Sequence, residues 1–564
     1  MSENQPEPEE IEAAEVNSNS SFLDFKSRKN FYLFALGTGV FLGLVFLLPV
    51  FSRLVWIAAA PIFLCVRFRQ NKDNFISGLL IGIPWFLISC YWLTYVTVFG
   101  LICLALFEGA YLGVWLLLAG RFPSPWRNYV FPVLWVACEF VRSKGPLGFS
   151  WNLFGHLAYP IESLAQTFGV YGLSLVVAAV GVIVASLIRS ERDETTGPMP
   201  EGSATFLALP LLWLALALFV YINAPTPKED RKIYVGVVQG NFPQSLKWNT
   251  PLDEALSRYV ELTNETVQES HPDLVIWPEV AMPAILSNQP NLLNVLERRT
   301  DQWETSLLFG VLDEDFRRET EGGEGELYNS VVFLDYRSDE RLGPVQDPVA
   351  VSKHLRGPLT EEPNRSRFLP SAYSEEHHYP PKIYDKSRLL PFGEYVPFKK
   401  LLPFIQDFVE KQGGGVFSAG REGKTIPTAF GDIGPLICFE STHPGLARES
   451  AENGANLLVA VTNDAWFGNT AAARQHALQS RFRAIETGRA VVRVANTGIT
   501  ALYLPDGTVA ERLPTWQALS QTWVVPLYSH LTFQFRVGDF LGWLALGCLG
   551  FSLLLTRGID TVEE

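Results

Sequence analysis

The chain has 564 residues, 48% of them hydrophobic, and a formal net charge of −14 from 45 Lys and Arg against 59 Asp and Glu. This length allows several domains, and an acidic chain with no long basic stripe excludes a nucleic-acid partner. The apolar residues are spread unevenly, with a greasy front third followed by a mixed remainder.

Residues 1–29 open with MSENQPEPEEIEAAEVNSNSS, which has almost no apolar group to bury and reads as a disordered acidic tail. Lys26, Arg28 and Lys29 directly precede the first apolar run, the pattern of an uncleaved signal anchor rather than a cleavable signal peptide. Runs of roughly 20 apolar residues, enough to cross a bilayer core, lie near 30–51, 53–68, 75–97, 99–120, 128–142, 169–188, 204–223 and 537–556. About eight spans are therefore expected: seven in a membrane domain over 30–223, and the last in 537–564. The second and fifth runs are short and also suit buried or re-entrant segments.

Basic residues in short loops orient such a chain. With a cytoplasmic N-terminus, the inside segments hold Lys26, Arg28, Lys29, Arg67, Arg69, Lys72, Arg121, Arg127, Arg189, Arg192 and Arg557, and the outside segments before 224 hold only Arg53, Arg142 and Lys144. Residues 224–536 then stand on the outer face, and the C-terminus returns to the cytoplasm.

That outer block alternates β-branched runs with amphipathic stretches. KIYVGVVQ (232–239), LVIWPE (274–279), SLLFGVL (306–312), NSVVFLD (329–335), PLICFE (435–440), LLVAVTND (457–464) and AVVRVAN (490–496) read as strands, and 251–270, 442–453 and 471–488 as helices. The alternation predicts an α/β sandwich. Residues 336–382, rich in Pro, Arg, Glu and Ser, break the pattern as a long surface insertion. There is no internal repeat.

Of the six cysteines, Cys65, Cys90, Cys103, Cys138 and Cys548 lie in or beside the apolar runs, and Cys438 stands alone outside them. It has no second cysteine to pair with in an oxidising compartment. A free cysteine usually behaves as a small buried hydrophobe, so PLIC by itself favours core packing. A nucleophilic thiol needs a base and a group to hold the developing oxyanion. DLVIWPEVAMP (273–283) offers Glu279 at the end of an apolar strand beside Trp277, where partial desolvation raises a carboxyl toward a usable base; the alternative is a surface turn. YDKSRLLPFGEYVPF (384–398) offers Lys386 and Glu394, which in isolation read as solvated loop residues.

Together these motifs resemble the ordered Glu, Lys and Cys of the nitrilase superfamily, and more closely the bacterial apolipoprotein N-acyltransferases. NFPQSLKWN (241–249), WPEVAMP, KSRLLPFGEYVPF, ICFE, TNDAWFGN (462–469) and RAIETGRAVVRVANTGITA (483–501) stand in that family's order. GPLGFSWNLFGHLAYP (145–160) and QTFGVYGLS (166–174) are similar to its membrane part. The likeness runs from about residue 30 to the end. The acidic tail and the 336–382 insertion fall outside the family core, and Phe439 stands where tyrosine is common.

The resemblance implies a polytopic α-helical membrane domain joined to a nitrilase-like αββα sandwich on the outer face of a bacterial inner membrane. It implies transfer of a fatty acyl chain from a membrane phospholipid to the α-amine of a diacylglyceryl apolipoprotein, by ping-pong through a thioester on Cys438. Glu279, Lys386 and Cys438 are then catalytic, with Phe439 supplying an oxyanion N–H and Glu394 and Glu440 supporting the lysine. Trp248 is implied to lie near the substrate. Phe398, Leu401, Leu402, Ile405, Phe408 and Val409 would share one helical face beside Lys399, Lys400 and Phe404, ahead of a triple glycine at 413–415. That pattern suits a lid lying in the lipid interface or an amphipathic core helix, and makes Phe404 and Phe408 candidates for substrate contact.

Two readings compete. A membrane-anchored nitrilase-type amidase would carry the same triad. A lipid-binding or transport protein with an inert outer domain would use intramembrane charges such as Glu108 and Glu139. The eight histidines, His156, His271, His354, His377, His378, His443, His476 and His530, form no ligand-spaced cluster, so neither a metal nor another cofactor is expected. A Cys–His dyad through His443 or His476 remains a further alternative to the Glu-Lys-Cys set.

Overall fold

The computed structural model describes residues 27–123, 126–145, 147–188, 215–216, 218–223, 228–244, 250–315, 326–336, 381–396, 417–421 and 423–560. Trp248, Phe404 and Phe408, the proposed lid around them, and all but the edges of the 336–382 stretch lie outside these residues.

The front of the chain folds into α1 (Arg28–Leu47), α2 (Val55–Leu64), α3 (Asn71–Ser89), α4 (Val98–Ala119), α5 (Trp126–Arg142) and α6 (Ala165–Ile188). Among the described residues, Arg28–Leu47, Val98–Ala119 and Glu162–Ile188 are long and apolar enough to cross a membrane, and Pro49–Leu64 and Phe540–Leu554 are shorter apolar helices. The two short runs are short as helices too: α2 has 10 residues with Pro61 inside it, and α5 has 17 with Pro132. Close packing holds α4 where the site needs it. A Cβ on Gly78 of α3 would come within 2.3 Å of Gly113 Cα on α4, and one on Gly82 within 2.6 Å of Gly109 Cα. This small-xxx-small crossing lets the two helix backbones touch.

The rest forms two sheets. One runs β13-β1-β2-β4-β5-β6 with β3 paired to β4, the other β12-β11-β10-β9-β8-β7. The strands of the first are β1 (Arg231–Gln239), β2 (Leu274–Ile276), β3 (Met282–Ile285), β4 (Ser306–Asp315), β5 (Glu326–Leu334), β6 (Lys382–Asp385) and β13 (Leu519–Leu527). Those of the second are β7 (Ile426–Thr428), β8 (Gly431–Ile437), β9 (Ala455–Thr462), β10 (Ala490–Ala495), β11 (Ala501–Tyr503) and β12 (Val509–Arg512).

Successive side chains on a strand face opposite ways, and here both faces are covered. Leu308 enters the core between the sheets with Val235, Ile276, Ile437, Val459 and Val492. Its neighbours Leu307 and Phe309 pack outward with α7 (Leu252–Ser270) and α8 (Pro290–Trp303). On the other sheet Leu458 and Ala460 face α9 (Pro444–Glu452) and α10 (Ala471–Thr487). The result is a four-layer α-β-β-α sandwich, and strands buried on both faces read as continuous apolar runs.

The helical part and the sandwich share one apolar cluster, in which Phe439, Phe467, Phe482 and Ile485 pack with residues of α1 to α6. Polar contacts fix the junction. Gln475 Nε2 donates to Phe46 O (3.2 Å) and Ser89 O (3.0 Å), Arg474 donates to Leu47 O, and Ser150 Oγ donates to Thr442 O (2.8 Å). After β13, α11 (Phe533–Val537) leads into α12 (Phe540–Asp560), which returns to pack on α5.

Candidate active site

The apolar strand β8 ends at Ile437, and Cys438 follows with φ 51° as the first residue of a short turn, Cys438–Thr442. Left-handed backbone at a non-glycine residue is strained and persists only where its surroundings fix it. Here the Cys438 carbonyl accepts from Ser441 Oγ (2.9 Å) and lies 2.9 Å from His476 Nε2. Glu440 Oε2, in turn, accepts the Ile437 N–H at 2.8 Å. The sharp turn takes the thiol off the end of the strand and into a cavity.

Glu279 lies beyond the end of β2 and is buried. Asn329 Nδ2, from β5, donates to its Oε1 at 2.8 Å, and the Asn463 N–H, just past β9, donates to its Oε2 at 2.7 Å. Lys386 follows β6, is 1% exposed, and sits between carboxylates: its Nζ is 2.7 Å from Glu394 Oε1 and 3.7 Å from Glu279 Oε1. Burial works against its charge, but Glu394, Glu279 and Cys438 outweigh that and hold the ammonium above its ordinary range. For Cys438, burial first and Glu279 second push the thiol up; Lys386 and the Thr462 hydroxyl pull it back without cancelling the rise. The Cys438 thiol thus sits beside the Glu279 carboxyl and the Lys386 ammonium, with burial favouring its neutral form.

Glu440 is fully buried, and burial raises its carboxyl. Its Oε1 accepts from Tyr384 OH (2.9 Å), Ser387 N (2.7 Å), Ser387 Oγ (2.8 Å) and Arg388 N (3.1 Å). It does not touch the lysine's ammonium in this set. Instead it ties the backbone just after Lys386, and the Tyr384 side chain before it, to the turn that carries Cys438. Glu394 holds its own loop as well as the lysine, since its Oε2 accepts the Leu390 N–H at 2.8 Å. The Phe439 ring is buried and packs edge-on against His443, 4.8 Å between centroids. Burial pushes His443 down to about 3, and its Nδ1 faces Thr442 Oγ1 and Phe439 O rather than the thiol.

The cavity beside Cys438 holds about 260 Å³ and is almost wholly apolar. Gly100, Cys103, Leu104 and Phe107 form one wall along a single face of α4, and Phe149 and Trp151 form another. Pro391, Phe392 and Phe467 close it from the sandwich side. The buried acid Glu108 braces this wall, and Glu139 lies outside its lining. Glu108 pairs with Arg142 at 3.6 Å, and Arg142 donates to the carbonyls of Phe149, Trp151 and Asn152. Glu139 accepts the Phe154 N–H at 2.9 Å.

The structure thus brings Glu279, Lys386, Glu394, Cys438, Phe439 and Glu440 into one place from three segments: the loop after β2, the loop after β6 and the turn after β8. Asn329, Asn463 and Gln475 are additional members that sequence reasoning does not single out. Gln475 Oε1 accepts the indole N–H groups of Trp92 (2.9 Å) and Trp151 (3.0 Å), two cavity residues. The available signal was a polar side chain directly ending the apolar run of β9, which marks Asn463. Among the described residues, no group of three or more His, Cys, Asp or Glu side chains is placed to hold a metal ion.

Two family models match the chain: carbon-nitrogen hydrolase over residues 234–524, and apolipoprotein N-acyltransferase N-terminal domain over 38–183. The apolipoprotein N-acyltransferase of Geobacter metallireducens is 31% identical over 529 residues, covering 91% of this chain and 92% of its own. That of Chlorobaculum tepidum is 28% identical, covering 89% and 91%, and that of Shewanella oneidensis 30% identical, covering 74% and 71%. Both halves match models in the order the folded chain shows, and a relative matches nearly end to end; the chain belongs to the apolipoprotein N-acyltransferase family.

Proposed function

We propose that this protein transfers a fatty acyl chain from a membrane phospholipid to the N-terminal α-amine of a diacylglyceryl apolipoprotein, through a thioester on Cys438. The observation that carries the reading is the apolar cavity that joins the thiol to the face of α4. A thiol acting on a small soluble amide has no use for a greasy slot walled by a membrane-length helix. An acyl chain needs one, because its transfer out of bilayer must be offset by equivalent apolar contact.

Glu279 takes the Cys438 proton as the sulfur attacks the ester carbonyl. The oxyanion forms against the Lys386 ammonium and the Phe439 N–H, and collapses by expelling the glycerol oxygen, which recovers the proton from Glu279. A lysophospholipid leaves and the thioester remains. In the second half Glu279 receives a proton from the incoming amine, the nitrogen displaces the sulfur, and the proton returns to Cys438. The two halves are separated by the covalent intermediate, hence ping-pong order. Lys386 keeps its charge throughout, because Glu394 stays against it at 2.7 Å while Glu279 carries the proton. Asn329 keeps Glu279 and Glu394 at a common distance by donating to both, at 2.8 and 3.3 Å.

The basic bias of the short loops supports the remaining assignments: about eight spans, cytoplasmic termini, and a catalytic unit over 224–536 facing outward from a bacterial inner membrane. Trp248, Phe404 and Phe408 are proposed contacts of the lipid substrate. The test is intact-protein mass spectrometry after incubation with a single phospholipid. A fatty acyl adduct on Cys438, removed by hydroxylamine and absent from Cys438→Ala, is the expected result. No adduct on a folded protein would remove the reading.

A further inference from the structure

A second polar centre lies directly behind the nucleophile, and the steps above do not use it. His476 Nε2 is 2.9 Å from the Cys438 carbonyl oxygen and 3.0 Å from Ser441 Oγ, and its Nδ1 is 3.0 Å from Asp464 Oδ1. Arg493 Nη2 donates to both Asp464 oxygens, at 3.1 and 2.8 Å, while its Nη1 donates to Ser480 Oγ at 3.1 Å. His476, Asp464 and Arg493 are each no more than 1% exposed.

We propose that His476 is a positioning residue that holds the Cys438 carbonyl, and so aims the Phe439 N–H at the oxyanion, with Asp464 and Arg493 locking its ring. The link is the planar peptide between Cys438 and Phe439: its C=O and N–H point in opposite directions in one plane. Fixing the oxygen fixes the hydrogen. The left-handed φ at Cys438 makes that plane costly to hold without outside contacts, and a preorganised donor is worth most when it need not reorganise during the reaction. A carbonyl oxygen only accepts, so Nε2 carries the proton, and the bare Nδ1 accepts from Arg493 Nη2 at 3.1 Å, the same nitrogen that holds Asp464. His476 is therefore occupied away from the thiol, and it acts as a support rather than as the base of a Cys–His dyad. Asp464 directly follows Asn463, whose N–H holds Glu279, so one segment sets both the base and the ring behind the nucleophile.

The inference rests on the acyl-transfer reading for its lipid assay, and a short p-nitrophenyl ester as acyl donor makes the comparison independent of it. The full-length protein is compared with His476→Gln, whose amide nitrogen replaces Nε2; with His476→Asn, whose nitrogen replaces Nδ1 and stops short of the carbonyl; and with His476→Leu. Single-turnover loading of Cys438 should fall ~100-fold in the Asn and Leu variants and stay within about tenfold in Gln. Alkylation of Cys438 by iodoacetamide forms no oxyanion, so its rate and pH profile should stay within about threefold in all of them. Should the Leu variant not fold, the Gln and Asn pair still decides the matter. Equal loss in Gln and Asn, equal retention in both, or an alkylation profile displaced by His476→Asn would each overturn the proposal. A parent protein that loads from the p-nitrophenyl ester but not from phospholipid would instead defeat the acyl-transfer reading and leave the comparison standing.

Discussion

In the proposed mechanism Glu279 acts on Cys438 in two opposed ways. As a negative charge beside a buried thiol it raises the thiol's pKa, and as a base it accepts the thiol's proton during attack. Glu279→Gln removes both effects, so two assays should move in opposite directions. Thiolate concentration at a fixed pH rises as the thiol pKa falls; the variant should therefore react faster with iodoacetamide at pH 7, while acyl loading drops at least ~100-fold for want of a base. In the parent protein the raised thiol should make alkylation climb steadily through pH 7 to 9, without the plateau that a depressed pKa would give. Lys386→Ala should slow loading by roughly 100-fold to 1,000-fold. Lys386→Arg should not restore it, since a forked guanidinium does not fit a slot 2.7 Å from one carboxylate and 3.7 Å from another. Single-turnover loading followed by mass spectrometry reads all of these.

The proposed catalytic groups are aimed by turns that follow strands, and the backbone around Glu279 leaves little room for change. A Cβ on Gly310 of β4 would lie 2.6 Å from Pro278 O and 2.7 Å from Glu279 Cα, so Gly310→Ala should displace the base. Loading should fall at least ~10-fold with only a modest change in alkylation of Cys438, because the thiol's own turn is untouched. Glu440→Gln tests the clamp between the nucleophile turn and the lysine loop. An amide must turn a donor toward one of the N–H groups the carboxylate now accepts, at a cost of about 1–3 kcal/mol, readable as a lower denaturation midpoint together with slower loading.

At this scale the strands of the sandwich centre were legible because β1, β4, β5, β8, β9 and β10 are buried on both faces and therefore write their apolar character continuously. β3, β6, β7 and β11 were not, being only three or four residues long, and β12 is exposed throughout. β13 mixes exposed and buried positions and owes its place to a long antiparallel pairing with β1. Helix α8 escaped notice because its polar face dominates PNLLNVLERRTDQW. In the site, Glu279, Lys386 and Cys438 stood out through the motifs around them. Asn329 and Gln475 did not, because their roles exist only once residues 50 to 429 positions apart meet.

Taken whole, the molecule joins a helical part with membrane-length apolar helices to a sandwich through the cavity that both line. Enlarging a side chain on the α4 wall should close the slot without touching the thiol. Cys103→Trp is the suitable change: loading from phospholipid should fall ~10-fold or more, since packing an interior beyond its volume is resisted, whereas iodoacetamide should reach Cys438 as before. Loss of both reactions would mean that the site itself had moved.

Transfer from the loaded enzyme tests the central claim most directly. Cys438 is charged with an isotopically labelled acyl chain from phospholipid, free lipid is removed, and a synthetic diacylglyceryl-cysteine peptide with a free α-amine is added. The label should leave Cys438 and appear in amide linkage on the peptide's α-nitrogen, in one turnover and without added lipid. Its release as free fatty acid at the same rate with and without peptide would contradict the assignment and make the protein a hydrolase.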